Sequence, residues 1–111
     1  MPDYRRNRVP GGTFFFTVDL LDRRSDLLVT QIQALRDAVQ QVRLRAPFHI
    51  DAWVVLPDHM HCLWTLPAGD ADFPARWRAI KTAFSKEAGQ EFAGYQYPSF
   101  RDALQGRARN P

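Results

Sequence analysis

Apolar and polar residues follow one another along this chain in patterns that predict alternating strands and helices. The segment "TFFFTVDL", from Thr13 to Leu20, is typical of a β-strand because aromatic and β-branched side chains favour extended backbone. From Ser25, a favourable N-cap residue, apolar residues recur every three or four positions to about Arg45. This spacing predicts an amphipathic helix that Pro47 terminates.

Two more strands and a second helix are predicted further along. The segments "FHIDAWVVL" and "HMHCLWTL" predict strands joined by a turn at Pro57 and Asp58, and a helix follows from about Pro74 to Gly89. This order indicates an α+β, ferredoxin-like fold: an antiparallel sheet with two helices on one face, incomplete at the C-terminus. We expect a basic arm at residues 1–12, a domain at 13–92 and a divergent tail at 93–111.

The composition limits the class of protein. With 111 residues, of which 45% are hydrophobic, the chain fits one domain with a sizeable core. Cys62 is the single cysteine, so no internal disulfide can form and a reducing, cytoplasmic compartment is expected. The apolar run near the start is too short to span a membrane, so no membrane partner is expected.

The charge balance is basic and dominated by arginine. The formal net charge is +3, and Lys81 and Lys86 are the only lysines among 15 basic residues. Arginine presents planar paired donors that suit phosphate, which favours a nucleic-acid partner. An arginine-rich codon usage explains the same composition equally well, so charge alone does not establish the function.

Two histidines stand together at the start of the third predicted strand. Residues two apart in a strand point to the same face, so His59 and His61 present their rings side by side, away from the helices. Such a pair suits a divalent metal, with a third ligand from elsewhere, from water or from substrate. A two-residue turn places His49 and Asp51 on the other face, so neither is expected to be a ligand. The alternative is a pair of partly buried structural histidines.

A longer set of motifs carries a family resemblance. The aromatic first strand, followed by "WVVLPDHMH", "LPAGDADF" and "RWRAIKTAFS", resembles the REP-associated tyrosine transposases, which are single-tyrosine HUH transposases of bacterial insertion sequences. The resemblance covers about residues 4 to 86. It implies a ferredoxin-like domain that acts on single-stranded DNA carrying a hairpin.

The resemblance also implies a chemistry. In this family the paired histidines, matched here by His59 and His61, hold Mg²⁺ or Mn²⁺ against the scissile phosphate, and a tyrosine hydroxyl attacks the phosphorus. The products are a 5′-phosphotyrosine link and a free 3′-hydroxyl. Charge, and not the motif, indicates a further set of phosphate contacts: Arg5, Arg6, Arg8, Arg76, Arg78 and Lys81.

The nucleophile is where this chain departs from the family. The family pattern of a tyrosine, three residues and an amide, within "DYIHxNPVKHG", has no match here. Tyr95 and Tyr97 are therefore candidates only by elimination, and the alternative for both is packing on or near the sheet. We expect a truncated copy. Three interpretations stay open: a strand-cleaving and rejoining enzyme, a DNA-binding remnant without a nucleophile, and a domesticated interaction module. An exposed apolar strip favours a homodimer or other self-association.

Overall fold

The computed structural model describes residues 9–88 and the backbone of residues 92–96. The elements in this part of the chain are, in order, β1 (Thr13–Leu20), α1 (Leu27–Thr30), α2 (Ile32–Arg45), β2 (His49–Val55), β3 (His59–Thr65), α3 (Phe73–Ala88) and β4 (Phe92–Gln96). The strands form one antiparallel sheet in the order β2-β3-β1-β4. This is the α+β, ferredoxin-like arrangement that the order of strands and helices predicts.

The helix predicted from Ser25 is divided in two. The N-cap of α1 is Asp26 and not Ser25 as predicted, and Asp26 makes no side-chain capping hydrogen bond. The Oγ atom of Ser25 instead accepts a local hydrogen bond from Leu27 N at 3.0 Å. Gln31 has non-helical dihedral angles and separates α1 from α2. The two helices remain linked, because Gln31 N donates to Leu27 O at 2.8 Å and Leu35 N donates to Gln31 O at 3.1 Å. None of the helices in residues 9–88 is long and apolar enough to cross a membrane.

The core lies between one face of the sheet and helices α2 and α3. Aromatic rings fill its centre: the ring centroids of Phe16 and Trp64 are 4.8 Å apart, and Trp64 stacks on Trp77 at 4.6 Å. Complete burial of a side chain such as Phe16 contributes about 1.5–3 kcal/mol. Alternate residues of β1 and β3 point into this core, which confirms the predicted helix-covered face: Phe14, Phe16, Val18, Leu20, Met60, Cys62 and Trp64.

A fourth strand extends the sheet past residue 92, where the sequence predicts the domain to end. β4 pairs antiparallel with β1, with Tyr95 opposite Val18 and Gln96 opposite Thr17. The segment "FAGYQ" has no alternation of apolar and polar residues, so the pattern of the sequence does not predict a strand here. Pairing with the free edge of β1 defines this strand, and the sheet therefore continues to Gln96.

Candidate metal centre

His59 and His61 lie at the start of β3, on the face of the sheet opposite the helices, which we call the open face. The turn before β3 sets their position, because Leu56 N donates to His59 O at 2.8 Å and Val54 pairs with His61. The two ring centroids are 5.1 Å apart and the ring planes are nearly perpendicular, at 81°. The rings thus lie side by side, as the strand spacing predicts.

Each imidazole is held through its Nδ1 atom. Nδ1 of His59 lies 2.8 Å from Oδ1 of Asp58, and Nδ1 of His61 lies 3.0 Å from Oγ1 of Thr17 on the paired strand β1. The ring of Phe15 stacks on that of His61, with centroids 5.9 Å apart and planes at 13°. Because both Nδ1 atoms are engaged, Nε2 is the atom that each ring offers to a further ligand.

Asp58 belongs to a charged network beside His59. Arg23 donates through Nε to Oδ2 of Asp58 at 2.7 Å, and its Nη1 lies 3.7 Å from Oδ2 of Asp19. Asp19 is in turn the β1 partner of His59. Sequence reasoning missed these three charged residues. The position of Asp58 directly before the histidines was an available signal, whereas only the pairing of β1 with β3 brings in Asp19 and Arg23.

These contacts shift two pKa values near the pair. Hydrogen bonds with His59 and Arg23 lower the pKa of Asp58 to about 2, so its carboxylate is ionised at neutral pH. Partial burial lowers the pKa of His61, with a further contribution from the charge of His59, while Asp19 opposes the shift. Since the neutral imidazole is the form that binds metal, the lowered pKa of His61 favours a ligand role.

A β-bulge at Asp51 changes the predicted position of two residues. The pairing follows the two-residue turn as far as Ala52, but beyond the bulge His49 pairs with Thr65, which shares the open face with His61. Oγ1 of Thr65 donates to Oδ2 of Asp51 at 2.6 Å. The prediction that His49 and Asp51 lie on the core face is therefore wrong, because the extra residue reverses the alternation of the strand.

The histidine pair fits part of a divalent metal site. Within residues 9–88, no three His, Cys, Asp or Glu side chains are placed to hold one ion together. His59 and His61 supply two nitrogen donors whose orientation is fixed. Such a pair suits Mn²⁺ or Mg²⁺ when oxygen atoms of water or phosphate complete the coordination.

The open face also carries apolar side chains next to the histidines. Val54 is 55% exposed and Leu56 is 37% exposed, while Ala52 is exposed and Leu63 is half-buried. These residues form the apolar strip from which self-association is predicted. Self-association stays a prediction.

Arg76 is a structural residue, and the prediction that it contacts phosphate is wrong. Its side chain is 4% exposed, and Nε donates to Ala46 O while both terminal nitrogens bond the carboxylate of Asp70, at 3.1 and 2.9 Å. The two remaining donors reach Asp72 O and Pro47 O. All five N–H groups of the guanidinium are thus used inside the protein.

The remaining predicted phosphate contacts are not brought together with the histidines. Arg78 and Lys81 are carried by α3, which packs on the other face of the sheet. Arg78 borders a groove between α2 and α3, together with Arg45 and Lys86. The N-terminal arginines lie outside the described residues: Arg5, Arg6 and Arg8.

The structure describes the backbone position of only one of the two candidate tyrosines, Tyr95. Tyr95 pairs with Val18 of β1, whereas His61 pairs with Thr17, the preceding residue. The structure therefore gives the backbone register of Tyr95 one residue away from the pairing of Thr17 with His61. Tyr97 lies outside the described residues.

Comparison with solved structures gives the class of this protein. A structure of a REP-associated tyrosine transposase bound to a REP hairpin shares 46% sequence identity and a TM-score of 0.79, over 97% of this chain and 68% of that chain. A putative transposase from Deinococcus radiodurans shares 14% identity and a TM-score of 0.62, over 88% of this chain and 92% of that chain, and supports the fold alone. The domain is therefore of the transposase class.

Curated relatives narrow the class to one family. The REP-associated tyrosine transposase of Escherichia coli K12 is 58% identical over 89 residues, which are 80% of this chain and 54% of that protein. A putative REP-associated tyrosine transposase of Haemophilus influenzae is 37% identical over 91 residues, or 82% of this chain and 52% of that protein. No protein-family model matches the chain. The chain belongs to the REP-associated tyrosine transposase family, and it spans about half the length of these two relatives.

Proposed function

We propose that this chain forms the metal-holding and DNA-binding part of a transposase site that acts on single-stranded DNA carrying a hairpin. The observation that carries the proposal is the pair of imidazoles on the open face, with each Nδ1 occupied and each Nε2 available to a ligand. The 46% identical relative that is bound to a REP hairpin supports hairpin DNA as the partner.

In this proposal His59 and His61 hold Mg²⁺ or Mn²⁺. An ion held by these two residues would supply positive charge that offsets the negative charge on the phosphate and leaving oxygens. The protein orients the two rings. Asp58 and Thr17 fix them through Nδ1, and Phe15 stacks on the ring of His61.

Strand cleavage would follow the chemistry of the family. A tyrosine oxygen forms a bond to phosphorus, the bond to the 3′ oxygen breaks, and the strand is left with a free 3′-hydroxyl and a 5′-phosphotyrosine. Attack of a 3′-hydroxyl on that phosphotyrosine releases the tyrosine and rejoins a strand. Residues 9–88, which contain His59 and His61, include no tyrosine, so the nucleophile is not assigned.

A titration with Mn²⁺ tests the metal site. We expect selective paramagnetic broadening of the ring resonances of His59 and His61, and loss of this binding in His59→Ala and His61→Ala. His49→Ala is the matched control, because His49 lies on the same face in β2, opposite Thr65 at the far end of β3. Unchanged Mn²⁺ affinity in both site variants, or a loss only in His49→Ala, would place the ion elsewhere.

A second candidate function is DNA binding without strand cleavage. The absence of any tyrosine from residues 9–88, which contain the histidine pair, favours it. Both candidates predict binding of hairpin DNA. A covalent protein–DNA adduct separates them, since only a tyrosine that attacks phosphate produces one.

A further inference from the structure

We infer that Asp58 is a positioning residue, which fixes the tautomer of His59 and is itself held by Arg23. The inference rests on the proposed metal role of His59 and adds what prepares that ring for the ion. It is carried by the hydrogen-bonded series that runs from Arg23 through Asp58 to His59.

The direction of the hydrogen bond follows from the chemistry of the two groups. An ionised carboxylate can only accept hydrogen bonds, so the hydrogen in the 2.8 Å contact with Asp58 belongs to Nδ1 of His59. A neutral imidazole carries one ring hydrogen, and Nε2 then keeps its lone pair. His59 is therefore held in the tautomer that can bind an ion through Nε2, before any ion arrives.

Arg23 determines which carboxylate oxygen is available. It donates to Oδ2 of Asp58 at 2.7 Å, which leaves Oδ1 to His59 and sets the rotation of the carboxylate. A second contact, 3.7 Å to Asp19, holds the guanidinium near the strand that pairs with His59. The network thus ties the segment after β1 to the turn before β3.

His61 provides an internal comparison. Its Nδ1 partner is the hydroxyl of Thr17 at 3.0 Å, and a hydroxyl can either donate or accept. This contact and the stacked Phe15 ring fix the plane of His61 but leave its tautomer open. Loss of the carboxylate should therefore change the tautomer of His59 and leave that of His61 as it was.

The test uses long-range ¹H–¹⁵N spectra of the metal-free protein at about pH 8, above the ordinary histidine pKa of about 6.5. In the wild type we expect the Nδ1–H form of His59. In Asp58→Asn, whose amide can donate as well as accept, we expect the Nε2–H form to appear and the Mn²⁺ affinity to fall about 10- to 100-fold. Arg23→Gln should change both quantities in the same direction and by less.

Asp22→Asn is the matched control. Asp22 lies next to Arg23 in the connection between β1 and α1, but it pairs with Arg24 and not with Arg23. Thermal melting establishes that each variant is folded. A wild-type His59 in the Nε2–H form, or an unchanged tautomer in Asp58→Asn, would overturn the inference. A changed tautomer with unchanged Mn²⁺ affinity would overturn it too, while leaving the metal site intact. If the wild type binds no Mn²⁺, the proposed function fails and this inference fails with it.

Discussion

Two arginine–aspartate pairs lie on opposite sides of this sheet and differ in burial and in the number of bonds they make. Arg76 is 4% exposed, and its five donors bond Asp70 and three backbone carbonyl groups. The side chain of Arg23 is 56% exposed, with one short hydrogen bond to Asp58. The first pair joins the end of α2 to the start of α3, and the second lies beside the histidine pair.

The difference shows that the same two residue types can serve the fold or the site. A buried guanidinium must have its donors satisfied, so removal of Arg76 leaves carbonyl groups and a carboxylate without their partner. An exposed pair exchanges protein contacts for water with little loss of stability. What Arg23 contributes should therefore appear in the behaviour of His59 and not in the stability of the domain.

The largest expected effect is the loss of stability when the buried pair of Arg76 and Asp70 is broken. Arg76→Met should lower the free energy of unfolding by about 3 kcal/mol, the low end for a broken buried pair because Asp70 is partly exposed. Arg23→Met should lower it by about 1 kcal/mol or less. Urea denaturation of the two variants measures both values. Equal losses would show that the two pairs do not differ as their burial indicates.

The dependence of stability on acidic pH provides a second test of the buried pair. The hydrogen bond from Arg76 lowers the pKa of Asp70 below its ordinary value of 3.8, so the pair stabilises the fold above that pH. This stability is lost as the pH falls through the lowered pKa in the folded state. Arg76→Met should therefore unfold with a weaker dependence on pH in this acidic range than the wild type. An unchanged dependence would assign the acid sensitivity to other groups, such as Asp58.

The side of the sheet that faces the helices could be predicted from the sequence. Apolar spacing reports burial, and it predicts β1 with its observed bounds and the face that α2 and α3 cover. Arg76 is the exception on that side. The carbonyl groups that surround it come from segments far apart in the chain, so its charge alone suggested an exposed role.

The open face could be predicted only in part. The spacing of His59 and His61 places both rings on it, and the resemblance to the family indicates their role. One extra residue at Asp51 then moves that residue and His49 to the same face, and strand pairing brings Asp19 beside His59. A bulge and a contact between strands leave no periodic signal in the sequence.

An intermediate effect is expected in DNA binding, where Arg78 provides the exposed counterpart of Arg76 on α3. The affinity for a hairpin should exceed that for a random duplex, as the proposed function requires. It should also fall steeply with salt, because basic side chains release condensed counterions. If Arg78 contacts one phosphate of a single strand, Arg78→Met should reduce the log–log salt slope by about 0.7 while changing stability by less than about 0.5 kcal/mol. Fluorescence anisotropy over a salt series measures the slope. A flat salt response, or tighter binding to plain duplex, would remove hairpin DNA as the partner.

The smallest expected effect is the absence of strand cleavage by this chain alone. A nucleophile must be held about 3–3.5 Å from phosphorus and in line with the leaving oxygen. Residues 9–88, which contain His59 and His61, include no tyrosine that could be held there. Incubation with a 5′-labelled hairpin and Mn²⁺, followed by denaturing electrophoresis, should therefore give no covalent adduct, and Tyr95→Phe should behave as the wild type does. An adduct that disappears in Tyr95→Phe or Tyr97→Phe would contradict this expectation and identify the nucleophile. The adduct assay is thus the most direct test of whether the histidine pair can act together with a tyrosine of this chain.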